Sequence, residues 1–410
     1  MLKKNIIILA EEYWYTVKTV YYKFIEATYL LEKIKDNKKY NIVMLKTPKE
    51  LLAAINSIGK SNIKCIFIFQ DIFSDSYLNN KSIKEMKDFM YDLKDNYKIN
   101  IYPGIEMTDT FASKKYYLEL IKKMPYSVLP KSKVYKIDYK EGDDEKIIKD
   151  LMKQSKSMFK EFNKIIVKKG YSYSAVQVKI LSRELLNDKE AFIEKLKKLN
   201  HKKFFDVGTN AKLWEKGITR YYILQGYNRI ISNKINEFRV YFFGGVAKYV
   251  AWGDDIPNLC TADFEDPEDK FNYSSEDNNI DANYGALNKE DENIRNLNKI
   301  NPALGKEILR FAKKVYNDYL KLFWKNNLIK HPILFRVDIS YAVEPEFIDK
   351  HAIDIPGFDT KVRLYVNELE IDPTNYFYNN IICKKEKEIT TKYIQILTSK
   401  LINEYINLLE

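Results

Sequence analysis

The residues whose types and spacing suit chemistry stand near the end of the chain. In Tyr365-Val-Asn-Glu-Leu-Glu-Ile-Asp-Pro-Thr374, Glu368, Glu370 and Asp372 alternate with Leu369 and Ile371. A strand has period two, so the three carboxylates fall on one face and the apolar pair on the other. Carboxylates gathered in this way repel one another unless a cation sits among them. Oxygen donors at this density suit Mg²⁺ or Mn²⁺, above all with triphosphate oxygens completing an octahedron. Upstream, Leu334-Phe-Arg-Val-Asp-Ile339 is an apolar run interrupted by Arg336 and Asp338, which share a face by the same rule. If the two strands are neighbours, Asp338 joins the glutamates at one cation and Arg336 lies beside it. A charge buried in a strand must be paired or metal-bound. A cation and a guanidinium aimed at one point stabilise charge on a phosphoryl group. The bland alternative is an edge strand with a solvated acidic face.

Arg336-Val-Asp338 followed by Glu368-Leu-Glu370-Ile-Asp-Pro373 resembles the metal-binding end of the ATP-grasp superfamily, which includes D-alanine–D-alanine ligase and the ribosomal-protein glutamate ligases. The resemblance implies that Asp338, Glu368 and Glu370 bind magnesium and that Arg336 contacts the reacting phosphoryl or acyl-phosphate group. Glu370 stands where the family usually has Asn, which leaves Glu370 or Asp372 as the second ligand. The run Ile165-Ile-Val-Lys168-Lys169-Gly170-Tyr-Ser172-Tyr-Ser174 resembles the family's strand, lysine and small-residue loop over the phosphates. It implies phosphate contacts from Lys168, with Lys169 as the competing choice, and from Ser172 and Ser174. Phe111-Ala-Ser113-Lys114-Lys115 resembles a helix start whose lysine, Lys114, meets the nucleotide; a surface lysine is the alternative. Tyr222-Ile-Leu-Gln225-Gly-Tyr227 is similar to the hinge that binds adenine, and Glu237-Phe-Arg239-Val to a strand whose arginine points at phosphate. A satisfied structural arginine is the other reading of Arg239.

The implied reaction is ATP-dependent carboxylate–amine ligation through an acyl phosphate, releasing ADP and phosphate, with ATP and Mg²⁺ (or Mn²⁺) required. A kinase-type phosphotransferase and a non-catalytic nucleotide-binding scaffold are the rival readings. The implied architecture is mixed α/β and α+β: an N-terminal Rossmann-like domain (1–125), a small lobe (126–228) and a large lobe (229–410), with ATP between the lobes. Partners are a carboxylate and an amine, small or peptidic; many members of the family are homodimers, and nothing in the sequence marks an interface.

The elements that would position these residues read as follows. Asn5–Leu9, Tyr40–Leu45, Lys64–Phe69 and Ile99–Tyr102 are apolar, strand-like runs. Helical patterns at about Tyr15–Ile34, Pro48–Ile58 and Ser82–Asn96 separate them, which argues for a parallel sheet covered on both faces. No Gly-x-Gly-x-x-Gly turn follows the first strand, so no dinucleotide site is expected there. Next come a helix at Ile147–Phe162, strands at Lys164–Val167 and Ala175–Ile180, and a helix at Asp188–Leu199. Strands at Thr219–Gln225, Glu237–Phe243 and Ala247–Trp252 lead to an acidic, aperiodic stretch, 254–298, read as a solvated excursion or a substrate loop. A helix at Gly305–Asn326, strands at Ile333–Ile339 and Arg363–Ile371, and a closing helix at Ile389–Leu409 complete the chain.

Composition bounds the rest. The chain has 410 residues, 45% of them hydrophobic, and a net charge of 68 − 57 = +11. That length predicts two or three domains, and that hydrophobic content excludes a disordered chain. Lysine is spread along the whole sequence, and no RNP, zinc-finger or basic-zipper pattern accompanies it, which argues against nucleic acid. Cys65, Cys260 and Cys383, and His201, His331 and His351, are scattered without ligand or triad spacing. The few cysteines predict a reducing, cytoplasmic setting, and no apolar run reaches the roughly 20 residues that span a bilayer.

Overall fold

The computed structural model describes residues 3–10, 16–18, 24–26, 38–69, 83–112, 118–119, 123, 132–137, 144–169, 178–200, 220–226, 237–253, 302–325, 327–343, 361–371 and 400–409. Among them lie three four-stranded sheets and a two-stranded ribbon. The chain is thus a mixed α/β protein.

The first sheet has the order β4 (Asn41–Leu45), β1 (Asn5–Ala10), β5 (Ile63–Phe69), β6 (Asn100–Tyr102), and every pairing is parallel. Its central strands are continuous apolar runs because both faces are covered. Ile6, Ile8, Cys65, Phe67 and Phe69 enter one core, while Ile7, Leu9, Ile66 and Ile68 enter a second. Helices α1 (Pro48–Ile58) and α2 (Ile83–Asp95) supply Leu51, Ile55, Met86, Met90 and Leu93 to that second core. Thr47 and Glu50 close a reciprocal capping box at the start of α1, with Pro48 opening the helix, so α1 begins where its sequence says it should.

The expected helix at Tyr15–Ile34 is corrected by the structure. Thr16–Lys18 (β2) and Phe24–Glu26 (β3) are paired antiparallel strands. Thr16, Val17, Thr19, Val20, Tyr21 and Tyr22 are β-branched or aromatic, and such side chains lose rotamer freedom in a helix but suit a pleated surface. Helix α3 (Ile105–Ala112) and strand β7 (Ser132–Ile137) were not expected from the sequence.

The middle sheet has the order β7, β10 (Arg220–Gly226), β8 (Lys164–Lys169), β9 (Val178–Ser182), all antiparallel. Helices α4 (Asp144–Met158) and α5 (Lys189–Asn200) belong to it. Ile148, Leu151, Met158, Ile165, Val167, Leu181, Phe192 and Leu224 form its own core.

The third sheet has the order β12 (Val246–Gly253), β11 (Glu237–Phe243), β13 (Leu334–Val343), β14 (Val362–Ile371), again antiparallel throughout. β11 and β12 are joined by Gly244-Gly245 at φ +53° and +94°, the two positive values that a tight hairpin twist demands. The 22-residue helix α6 (Pro302–Phe323) lays Ile308, Ala312, Val315, Tyr316 and Tyr319 in the same core as Phe238, Val240, Phe242, Phe335, Val337 and Ile339. Tyr316 stacks on Phe242 at 4.5 Å and 3°.

That core is shared with the first sheet. The Phe67 ring meets Tyr405, in the helical residues 400–407, edge-on at 5.1 Å, and Tyr102 meets both Tyr405 and Trp324 edge-on. The buried Ile333 N–H donates to the Tyr102 hydroxyl at 2.7 Å, tying the end of β6 to the entry of β13. No helix among the described residues is long and apolar enough to cross a membrane.

Candidate active site

The polar residues of interest lie on the face of the third sheet that its hydrophobic strand residues leave. Along β13, Phe335, Val337 and Ile339 belong to the core, so Arg336, Asp338 and Ser340 take the other face by alternation. All three are buried, Arg336 at 2% and Asp338 at 1% exposure. The register sets two rows across the sheet. Tyr241, Arg336 and Glu370 are opposite one another on β11, β13 and β14; Arg239, Asp338 and Glu368 form the next row.

A bulge in β14 sits at the edge of this site. Asp338 pairs with Glu368, but Ile339 pairs with Val366, so Asn367 is the extra residue. Val366 and Leu364 therefore enter the core together with Leu369 and Ile371, although Val366 and Glu368 are two residues apart. Glu368 and Glu370 remain on the polar face, which is what the alternation in the sequence predicts for that half of the strand.

The geometry centres on the guanidinium. Arg336 Nε donates to Asp338 Oδ1 at 2.7 Å and Nη2 to Oδ2 at 2.8 Å, a two-pronged pair of charge-assisted bonds. Nη2 is also 3.0 Å from Glu370 Oε1 and 3.9 Å from Glu368 Oε2. The Tyr241 ring lies 5.9 Å from the guanidinium carbon. Burial works against the charge on Arg336, but the Asp338 and Glu370 carboxylates outweigh it and hold the pKa well above its ordinary value. Nη1 is buried and has no hydrogen-bond partner among the described residues. Among the described side chains of this cluster, one guanidinium is within 4 Å of three carboxylates. Among the described residues no three acidic, histidine or cysteine side chains are grouped as a metal site.

The middle sheet places two further candidates. Lys168 on β8 is directly opposite Ile223 on β10, and Gln225 follows two residues later on the same face. Gln225 is buried, and its amide Nε2 donates to Ser132 Oγ at 3.1 Å. The following Gly226 is tight: a Cβ there would meet the Phe162 ring at 2.4 Å. Lys114, Ser172, Ser174, Tyr227, Asp372 and the acidic stretch 254–298 lie outside the described residues, as do residues 389–399 of the expected closing helix. Arg239 is described only by its backbone register beside Asp338. Tyr241 was missed by sequence reasoning, although its spacing of two from Arg239 places it on the same face. Ser132, the partner of Gln225, carried no sequence signal.

No family model and no curated protein matches the chain. Solved structures of low identity do resemble it in outline. One is D-alanine–D-alanine ligase from Bacillus anthracis complexed with ATP, at 11% identity and a TM-score of 0.46, covering 99% of this chain and 98% of that one. Another is VanG D-Ala:D-Ser ligase from Enterococcus faecalis, at 13% and 0.45, covering 100% of both chains. A third is the RimK domain protein ATP-grasp from Sphaerobacter thermophilus, at 8% and 0.45, covering 97% and 98%. At such identities the chemistry of the site rests on this chain's own residues.

Proposed function

We propose that the protein is an ATP-grasp ligase that joins a carboxylate to an amine, the carboxylate taking the terminal phosphoryl group of ATP, so that ADP and phosphate are released. The observation that carries this reading is the buried Arg336, clamped by acidic side chains, whose Nη1 has no hydrogen-bond partner among the described residues. A buried donor without a partner costs about 1–3 kcal/mol, and an anionic oxygen on the polar face relieves that cost.

The same reading calls for a magnesium ion, for which this site offers carboxylate oxygens as donors. Glu368 is 39% exposed at its side chain, so its carboxylate is within reach of a ligand from the polar face. Asp338, Glu368 and Glu370 are the carboxylates that would hold it, with Asp372 next in sequence. When bound, the ion supplies a Lewis acid that draws charge from phosphate oxygens. Arg336, through Nη1, orients and neutralises a phosphoryl or acyl-phosphate oxygen. Lys168 adds a point charge toward the phosphates and Arg239 a second guanidinium, both in keeping with the resemblance of their strands. The N–C bond forms when the amine attacks the acyl phosphate and phosphate leaves; no side-chain nucleophile is needed.

Nucleotide product analysis tests this. The protein is incubated with ATP, Mg²⁺ and pooled amino acids, small carboxylates and amines, with Glu368→Gln and Asp338→Asn beside it. The expected result is ADP and phosphate only with the pool and only in the wild type, both variants remaining folded by circular dichroism. AMP with pyrophosphate would overturn the mechanism, and full turnover in both variants would remove the metal assignment.

A further inference from the structure

We infer that Glu370 is a positioning residue that fixes the Arg336 guanidinium, and that it is not a ligand of the cation. This rests on the nucleotide–cation reading above and assigns a different task to one of its three carboxylates.

Glu370 is directly opposite Arg336 across the β13–β14 ladder, whereas Glu368 is opposite Asp338. The distances follow that register: Glu370 Oε1 is 3.0 Å from Nη2, and the nearest Glu368 oxygen to it is 3.9 Å away. Asp338 engages Nε and Nη2, so Glu370 completes the anionic surroundings of Nη2, and Tyr241 lies opposite Arg336 on the other side, its ring 5.9 Å from the guanidinium carbon. The guanidinium is then held along one edge by acidic oxygens, while Nη1 has no hydrogen-bond partner among the described residues and faces a ligand. Removing Glu370 to a cation would take a carboxylate away from a positive charge that is 2% exposed, an exchange that desolvation penalises. Glu368, the more exposed of the two glutamates at 39% against 26%, stands farther from that charge, at 3.9 Å.

Two measurements test the assignment, one of them with no ligand at all. Rotation of the Arg336 guanidinium is followed by NMR in the nucleotide-free protein, its signals identified by loss in Arg336→Lys. Glu370→Ala is expected to speed the rotation, and Glu370→Gln, which keeps an acceptor oxygen, to leave it slow. Rotation unchanged in Glu370→Ala overturns the inference. Binding of Mn²⁺ in the presence of ATP is then measured from the free-ion EPR signal. Glu368→Gln is expected to weaken it about tenfold, and Glu370→Ala to leave it within about twofold, the difference made by one charge-assisted contact. Loss of Mn²⁺ in Glu370→Ala equal to that in Glu368→Gln overturns the inference while leaving the nucleotide–cation reading intact. If the wild type holds no Mn²⁺ with ATP, that reading fails, and the rotation measurement alone decides the role of Glu370.

Discussion

Arg336 and Asp338 are both nearly inaccessible, and the energetics of such a pair are lopsided. Removing one partner leaves the other charge buried without compensation, which costs about 3–5 kcal/mol, whereas replacing both by apolar residues is often close to neutral. Arg336→Ala is therefore expected to lower the unfolding free energy by about that amount in urea titrations. Arg336→Met combined with Asp338→Leu is expected to recover most of the loss and still bind no nucleotide. Recovery of stability without recovery of binding separates the structural task of the pair from its chemical one. The sequence made this site partly legible. Two charges spaced by two within an apolar run imply a shared, buried face, and Glu368 and Glu370 follow the same rule. It did not reveal that the guanidinium stands among the carboxylates, because side-chain pairing depends on the register between strands. Nor did it reveal Asn367, whose bulge reverses the facing of Val366 and Leu364; alternation read from the sequence holds only as far as the ladder is regular.

The elements around the site are held by contacts that act at their ends. The Tyr102 hydroxyl accepts the Ile333 N–H three residues before Arg336, in a buried setting. Tyr102→Phe leaves that N–H without its acceptor, with an expected cost of about 1–3 kcal/mol. Faster amide exchange at Ile333 and Leu334, with α4 unaffected, is the readout. At the other end of the same region, the Gly244–Gly245 hairpin sits on neighbours: a Cβ on Gly245 would lie 2.7 Å from the His331 ring. His331 stacks beside Tyr316, whose hydroxyl is 3.1 Å from Nδ1. Burial, with the nearby Lys330 charge, holds the His331 pKa below its ordinary 6.5. The folded state thus binds a proton less readily than the unfolded chain. Its contribution is fully present above pH 6.5 and is lost as the pH falls through the lower folded value. The denaturation midpoint is expected to drop on acidification below that point, and His331→Gln to flatten the dependence. The parallel pairing of the first sheet and the span of α1 were legible, since each has a local pattern. At the helix expected over Tyr15–Ile34, the β-branched and aromatic content of the segment favours the paired strands β2 and β3 instead.

At the scale of the molecule, the cores divide differently from the sheets. The middle sheet has a core of its own and, among the described residues, lends Ile223 to the core that the first and third sheets share with α6 and the helix at 400–407. Phe67→Ala is expected to cost about 3–5 kcal/mol and to raise hydrogen exchange in β5 and β13 together, leaving β8 and β9 slow. Exchange confined to β5 would show that the two sheets are uncoupled. This sharing was not legible in the sequence: residues some 230 positions apart, such as Tyr102 and Ile333, leave no periodic trace. It also bears on how such a chain diversifies. A leading sheet borrowed from a relative would arrive with its own version of the wall behind β13, so recombination near residue 125 is disfavoured. Substitutions at Phe67, Tyr102, Trp324 and Tyr405 should be inherited as a set.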